Sequence, residues 1–251
     1  MKLLKGKITG IFFIIFLIIC WEIYSISSNA PVYFPPFSQI LYTFFGIIVS
    51  LEFVFDVAQT LWRCLLGFII ATFFAIPIGI LLGRLSFFFN LLNIVIEFFR
   101  PMPSAAIIPI SILFLGIDNK MKIFVIFFGS LWPILINTID GVRGIEPIFL
   151  KTTHVFGLSK TKLYTKVIFP AALPSIFTGL RVSIAISLIL TITVEMIVGG
   201  NGVGYFILDA ERSFKFKEMY AGVIVIGIIG YSINLFATYI EKKIIFWHYR
   251  Q

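Results

Sequence analysis

The side chains of this 251-residue chain that could do chemistry are few and oddly placed. Arg63, Glu97, Arg100, Arg181 and Glu195 all stand inside long apolar runs. An ionisable group in lipid-like surroundings costs about 2.5 to 3.5 kcal/mol on insertion scales, so each must pair, brace or line a polar path. Glu195 leads into Gly199, Gly200, Gly202 and Gly204. It can brace the helix break these glycines make, or face a pathway. Glu97 and Arg100 are three apart, hence neighbours on a helix, and read as a local pair. Arg63 and Arg181 read as side chains that reach along their helices to a polar boundary.

Catalytic readings fail on the same residues. A nucleophile needs a base in reach, and both histidines, His154 and His248, lie outside every apolar run. No HExxH, no paired intramembrane aspartates and no Cys/His metal set occurs in the sequence. Cys20 and Cys64 lie in separate apolar runs and signal neither a disulfide nor a metal site. A phosphate-binding loop requires GxxxxGK[ST]; GLSKT at 157–161 lacks the first glycine and the lysine's correct neighbour. GNGVG at 200–204 follows an apolar run and not a soluble strand, which argues against a dinucleotide site. The chain is therefore expected to carry no catalytic site, no metal and no cofactor of its own.

The elements that position these residues are membrane helices. Hydrophobic residues make up 59% of the chain and charged ones 13%, with mean hydropathy +1.04, against roughly half and a quarter in soluble domains. A crossing needs about 20 apolar residues. Six segments qualify: 8–26, 61–82, 87–115 (broken by Pro101, Pro103 and Pro109), 123–139, 176–198 and 219–240. Broken helices often line transporter cavities, which makes Arg100, Met102 and Ser104 candidate path residues. The first segment is too long for a signal-peptide core and reads as a retained helix. The stretch 28–58 carries Glu52 and Asp56 but no Lys or Arg, as an exported loop does.

The net charge of +8 follows topology and is not gathered on a nucleic-acid-binding surface. With six spans, Lys2, Lys5, Lys7, Arg84, Arg143, Lys151, Lys160, Lys162, Lys166, Lys242, Lys243 and Arg250 collect on one side; Lys120, Lys122, Arg212, Lys215 and Lys217 collect on the other. The positive-inside rule puts the richer side, and both termini, in the cytosol. The expectation is an all-α polytopic protein of the inner (cell) membrane. It forms a single domain over 1–251, with its core at about 56–240 and a cytosolic loop at 140–175.

That loop is the one sizeable cytosolic feature. Glu146 and Pro147 suit a first helical turn. Ile145, Ile148, Phe149, Thr152, Val155 and Phe156 recur at helical spacing, predicting a short amphipathic helix across the membrane face, with Gly157 as its C-terminal cap. A second short helix carries Lys160, Lys162 and Lys166, and Pro170 and Pro174 are expected to end it. Such a helix-Gly-helix elbow is either an interfacial pair touching anionic lipid or a docking surface for a cytosolic partner.

The stretch KTTHVFGLSKTKLYTKVIFPAALP at 151–174 resembles the EAA loop of binding-protein-dependent ABC importer permeases. Gly157 and Pro170 fall at the matching spacing. Lys151, Thr152 and Thr153 stand in place of the triplet, and Phe169 replaces the leucine before the proline. TLWRCLLGF at 60–68, FFRPMPSAAIIP at 98–109, NTIDGVRGI at 137–145, FTGLRVSI at 177–184 and VEMIVGGNGVGYFI at 194–207 extend the likeness over about 31–249, to the nitrate/sulfonate/taurine branch.

The resemblance implies a homodimeric permease that passes a small, anionic solute. Its elbow, here Lys151, Thr152, Thr153, Phe156, Gly157, Leu158, Ser159 and Pro170, seats in one of two cytosolic ATP-binding subunits. Those subunits hold ATP and Mg, and an extracytoplasmic solute-binding protein delivers the solute. An ion-coupled secondary transporter is the alternative. It would usually show an internal repeat and a mid-membrane carboxylate, whereas no repeat is visible and Glu195 lies near the outer end.

Overall fold

The computed structural model describes residues 2–27 and 31–246, with the backbone alone for 2–9, 11 and 154. The helices are α1 (Lys2–Ile26), α2 (Phe37–Val49), α3 (Leu51–Arg84), α4 (Ser86–Phe99), α5 (Ile108–Leu115), α6 (Asn119–Arg143), α7 (Pro147–Val155), α8 (Lys160–Leu163), α9 (Phe169–Val198), α10 (Val203–Arg212) and α11 (Phe216–Ile244). A 3-10 turn, Ser104–Ile107, leads into α5, and a π turn, Tyr164–Ile168, joins α8 to α9. No strand occurs among the described residues.

Helices α3, α6 and α9 form the core, and small residues let them do so. Along α3, Gly67, Ala71, Ala75, Gly79 and Gly83 recur at every fourth position, so they share one face. A Cβ added at Gly67 would lie 2.5 Å from Ile126, at Gly79 2.6 Å from Thr138, and at Gly83 2.7 Å from Val142. These pairs ascend together, so α3 and α6 run parallel. Helix α9 runs antiparallel to both: a Cβ at Gly141 would meet Ser175 at 2.6 Å, and one at Gly179 would meet the Pro133 carbonyl at 2.8 Å. Lipid tails are as apolar as leucine, so close backbone packing of this kind is what holds membrane helices together. Ala71, Ala75, Leu82, Ile96, Ile134, Leu135 and Ile139 fill the seam.

Four helices are long and apolar enough to cross a bilayer: α3, α6, the fused Lys160–Val198 and α11. Helix α4 with Ser104–Leu115 makes a fifth, bent by 89°. These five answer to five of the six expected crossings. The third, expected to be broken by its prolines, folds over at Arg100–Pro103, where two prolines remove backbone donors. The expected first span, 8–26, lies within α1 and partly outside the described side chains.

The stretch 28–58 is also no simple loop. It contains α2, and α3 begins ten residues earlier than expected, capped by Ser50, whose Oγ accepts from the Phe53 amide at 3.3 Å. Helix α2 packs on α11, with Phe44, Ile47, Phe53 and Val57 meeting Val225 and α10. An aromatic clasp closes the segment before it. Trp21 stacks on Phe34 at 4.6 Å and donates to the Pro35 carbonyl, while Tyr220 donates to the Tyr33 carbonyl.

Close packing of α9 on α6 makes a direct prediction. Gly179→Val drives a branched side chain against the Pro133 carbonyl and should destabilise the protein by about 2 kcal/mol or more. Gly227→Ala on α11, where the added methyl meets open space, should be neutral or slightly stabilising. Thermal unfolding in detergent reads both.

Candidate functional site

Two polar constructions stand apart from the apolar core, one at the end of the bundle where α9 stops and one at the opposite, elbow end. The first is built on α3 and α9. On α3, Asp56, Thr60 and Arg63 fall at i, i+4 and i+7 and face the bundle. On α9, Ser183, Ser187, Thr191 and Glu195 fall at every fourth position, and all four are fully buried.

Glu195 and Arg63 meet at 2.7 Å, with side chains 0% and 1% exposed. The carboxylate also accepts from Thr60 Oγ1 at 2.9 and 3.1 Å and from the Gly204 amide at 3.1 Å. Arg63 spends its other donors on the Asn119 side chain (Nε, 2.7 Å), the Asn201 carbonyl (3.0 Å), Gln59 and the Asn201 side chain. Thr60 accepts from the Val203 amide at 2.9 Å, and Asp56 accepts from the Gly202 amide at 2.7 Å. Lys122, 4% exposed, donates from Nζ to the Gly199 carbonyl at 2.7 Å.

The glycines after α9 are required by this arrangement. Gly199, Gly200 and Gly202 have φ of 77°, 99° and 112°, the left-handed region that other residues avoid. A Cβ at Gly202 would land on the Glu195 carboxylate, and one at Gly204 would stand 2.5 Å from the Ile192 carbonyl. Charges, side-chain amides and backbone donors thus tie α3, α6, α9 and α10 into one block. Glu195 is fully buried and bonded to Thr60, Arg63 and the Gly204 amide, which is the geometry of a brace.

Several sequence expectations change here. Arg63 does not reach for a boundary but is buried in the ion pair. Arg181 forms an ion pair with Glu241 of α11. Glu97 accepts from Asn93 at 2.7 Å, and no ion pair joins it to Arg100 among the described residues. Asp56, Thr60, Asn119, Lys122 and Asn201 were missed by sequence reasoning; the spacing of Asp56, Thr60 and Arg63 was the available signal. Of the candidate path residues, Arg100 is exposed at the break, Met102 is half-buried, and Ser104 sits against Gly129 of α6.

The second construction is the elbow. Helix α7 ends in a Schellman arrangement: the Leu158 amide donates to the Thr153 carbonyl at 3.1 Å, across Gly157 at φ 62°. Ser159 caps α8, accepting from the Lys162 amide. Leu150, Leu163 and Tyr164 pack against Val142, Ile168, Ala172 and Ile176, anchoring the elbow to the core. Of the apolar face that sequence spacing predicts, Ile148, Phe149, Val155 and Phe156 are 58–85% exposed. Lys151, Thr152 and Ser159 are exposed beside them.

Nor do Pro170 and Pro174 end the second helix. The Phe169 amide bonds back five residues to the Tyr164 carbonyl, and this wider turn gives room for the ring of Pro170, which sits in the first turn of α9. Pro174 lies inside α9. The elbow's second arm and the span are one continuous helix, Lys160–Val198.

Residues 75–245 match the family described as binding-protein-dependent transport system inner membrane component. A putative ABC transporter permease protein of Methanocaldococcus jannaschii is 34% identical over 92% of this chain and 88% of its own. A nitrate import permease protein of Synechocystis is 34% identical over 76% of this chain and 69% of its own. In fold, the chain is similar to a protein of the inward-facing MetNI methionine ABC transporter, with TM-score 0.67 at 17% identity, over 76% of this chain and 95% of that one.

The outer block predicts an asymmetric energetic response. Glu195→Ala leaves the Arg63 guanidinium buried without its counter-ion and should cost about 3 to 5 kcal/mol of stability. Replacing both partners, Arg63→Met with Glu195→Leu, should cost less than that single change. A double-mutant cycle on unfolding in detergent measures the coupling.

Proposed function

The chain belongs to the binding-protein-dependent inner membrane component family, the permease subunits of ATP-driven ABC importers, and on that premise we propose how its parts divide the work. The elbow is the surface that two cytosolic ATP-binding subunits grip, one on each copy of a permease homodimer. The observation that carries this reading is the exposed apolar patch of Ile148, Phe149, Val155 and Phe156, held rigidly on anchors that are themselves packed into the core. A patch of that kind on a short helix marks a protein-binding surface.

Lys151, Thr152, Thr153, Phe156, Gly157, Leu158 and Ser159 form the grip, and Pro170 lies where it joins the span. The polar Lys151-Thr152-Thr153 edge replaces the acidic triplet, so the partner surface meets a cation and two hydroxyls. ATP and Mg belong to those subunits, and the permease itself hydrolyses nothing.

The elbow end is cytosolic. Arg84 lines a groove there with Leu150 and Lys151, and Arg143 lies over the Phe89 ring at that same end. Both termini are then inside. The glycine-rich end faces the extracytoplasmic solute-binding protein, with Gly200, Gly202, Gly204 and Glu195 setting the shape of the outer gate. The solute is a small anion of the nitrate, sulfonate or taurine kind, in keeping with the nitrate import relative.

Co-expression with a P-loop ATPase and a binding protein of this transporter class, followed by purification through the permease, tests the assembly. An ATPase that co-purifies, and ATP-dependent uptake of labelled nitrate, taurine or an alkanesulfonate into vesicles, is the expected outcome. Transport by the purified chain alone would overturn it.

Gly157 supplies the sharper test. A β-branched residue at φ 62° is strained by about 1 to 2 kcal/mol, although a new Cβ there meets open space, so the elbow reshapes without a clash. Gly157→Val should insert normally and still support ATP hydrolysis, while uptake per ATP falls about tenfold, a factor worth about 1.4 kcal/mol of coupling. Full uptake by this variant would count against the coupling role.

A further inference from the structure

Every polar residue of α4, namely Ser86, Asn90, Asn93 and Glu97, falls with Arg100 at spacings of 4, 3, 4 and 3. At 100° per residue these five lie within an arc of about 80°. The rest of the helix is apolar. Phe99, Ile96, Leu92 and Phe89 form the neighbouring arc, with Ile96 buried and Phe99 stacked on Trp132, and Leu91, Ile94 and Phe98 project outward on the far side. Of the polar stripe, Ser86, Asn90, Glu97 and Arg100 are exposed, and Asn93 is half-buried.

The stripe runs from the elbow end of the bundle to mid-membrane. Ser86 stands two residues after Arg84, while Phe99 rests on Phe128 and Trp132, close to the midpoint of α6. Trp132 is roughly 16 to 20 Å from either end of that helix, so Arg100 cannot reach an interface by extending its side chain. Among the described residues none forms an ion pair with Arg100. An exposed guanidinium, a carboxylate and two amides cannot rest against hydrocarbon at this depth. Water or another polar surface must cover them.

We infer that this stripe is the inner half of the solute path, with Arg100 at its top as the charge that an anionic solute meets, and that a second copy of this chain closes the path. The inference rests on the permease reading above and adds the lining and the charge preference. Glu97, tied to Asn93, is the carboxylate on the same stripe one turn nearer the cytosol. An anion is therefore favoured at Arg100 and disfavoured at the next step. Such a stop is weak enough to leave, as a path requires.

The test needs no knowledge of the solute. In a chain with Cys20→Ala and Cys64→Ala, assembled with its ATPase in inside-out vesicles, single cysteines are probed with impermeant methanethiosulfonates. One probe is anionic (sulfonatoethyl) and one is cationic (trimethylammonioethyl). Asn93→Cys should react and Leu91→Cys, exposed on the apolar side of α4, should not. Adding Arg100→Gln should lower the anionic-to-cationic rate ratio at residue 93 about tenfold, while Arg100→Lys retains it. Equal reactivity at 91 and 93, or a ratio indifferent to Arg100→Gln, overturns the inference. The first comparison keeps Arg100 intact and so holds even where a variant at that position does not accumulate. Loss of the ATPase from the unmodified chain would instead overturn the coupling reading, and it is scored separately by co-purification.

Discussion

The buried pair of Arg63 and Glu195 is the constraint on which the outer half of the molecule depends. Two opposite charges with no access to solvent survive only if their remaining lone pairs and protons are also satisfied. Here that requirement reaches into four helices and the glycine turn: Thr60, Asn119, Asn201 and the Gly204 amide each complete part of the shell. The turn could not come close enough with side chains at Gly202 and Gly204, and the backbone could not adopt its positive φ values with ordinary residues. One electrostatic demand thus fixes the local sequence, the end of α9 and the seat of α10.

That block connects to the elbow by a single rod. The fused helix Lys160–Val198 is 39 residues long, roughly 58 Å at 1.5 Å per residue, and carries the elbow at one end and Glu195 near the other. Its antiparallel seat on α6 is made by backbone-close contacts at Gly141 and Gly179, which resist sliding. The π turn at Tyr164–Ile168 is the one wider ring along it, placed just where elbow becomes span.

Much of this was legible in the sequence, and the reasons for the rest are physical. Long apolar runs fixed the crossings α3, α6, α9 and α11, because hydropathy reads composition and composition decides partition into lipid. Gly157 announced the elbow through its helix-capping role. The fate of individual charges was not legible. Arg63 looks the same whether it reaches an interface or meets Glu195, since 132 residues separate the partners and pairing depends on tertiary packing. That Phe149 and Phe156 share an exposed apolar face was legible from their spacing, because periodicity identifies such a face without naming what covers it. Pro170 was read as a terminator, yet a first-turn proline is compatible with a helix when the backbone behind it widens.

Charges at membrane depth have met two different fates in this chain, and the contrast carries the functional logic. At the Gly199–Gly204 end they are sealed: Arg63, Glu195 and Lys122 are buried, and each is hydrogen-bonded within the block. Along α4 they are left open: Asn90, Glu97 and Arg100 lie on a face with no internal partner sufficient to neutralise them. A single protomer in lipid could not tolerate the second arrangement, whereas it needs the first in order to hold its shape. The open stripe therefore requires water or another polar surface to cover it, whereas the sealed block holds its end of the bundle together without one.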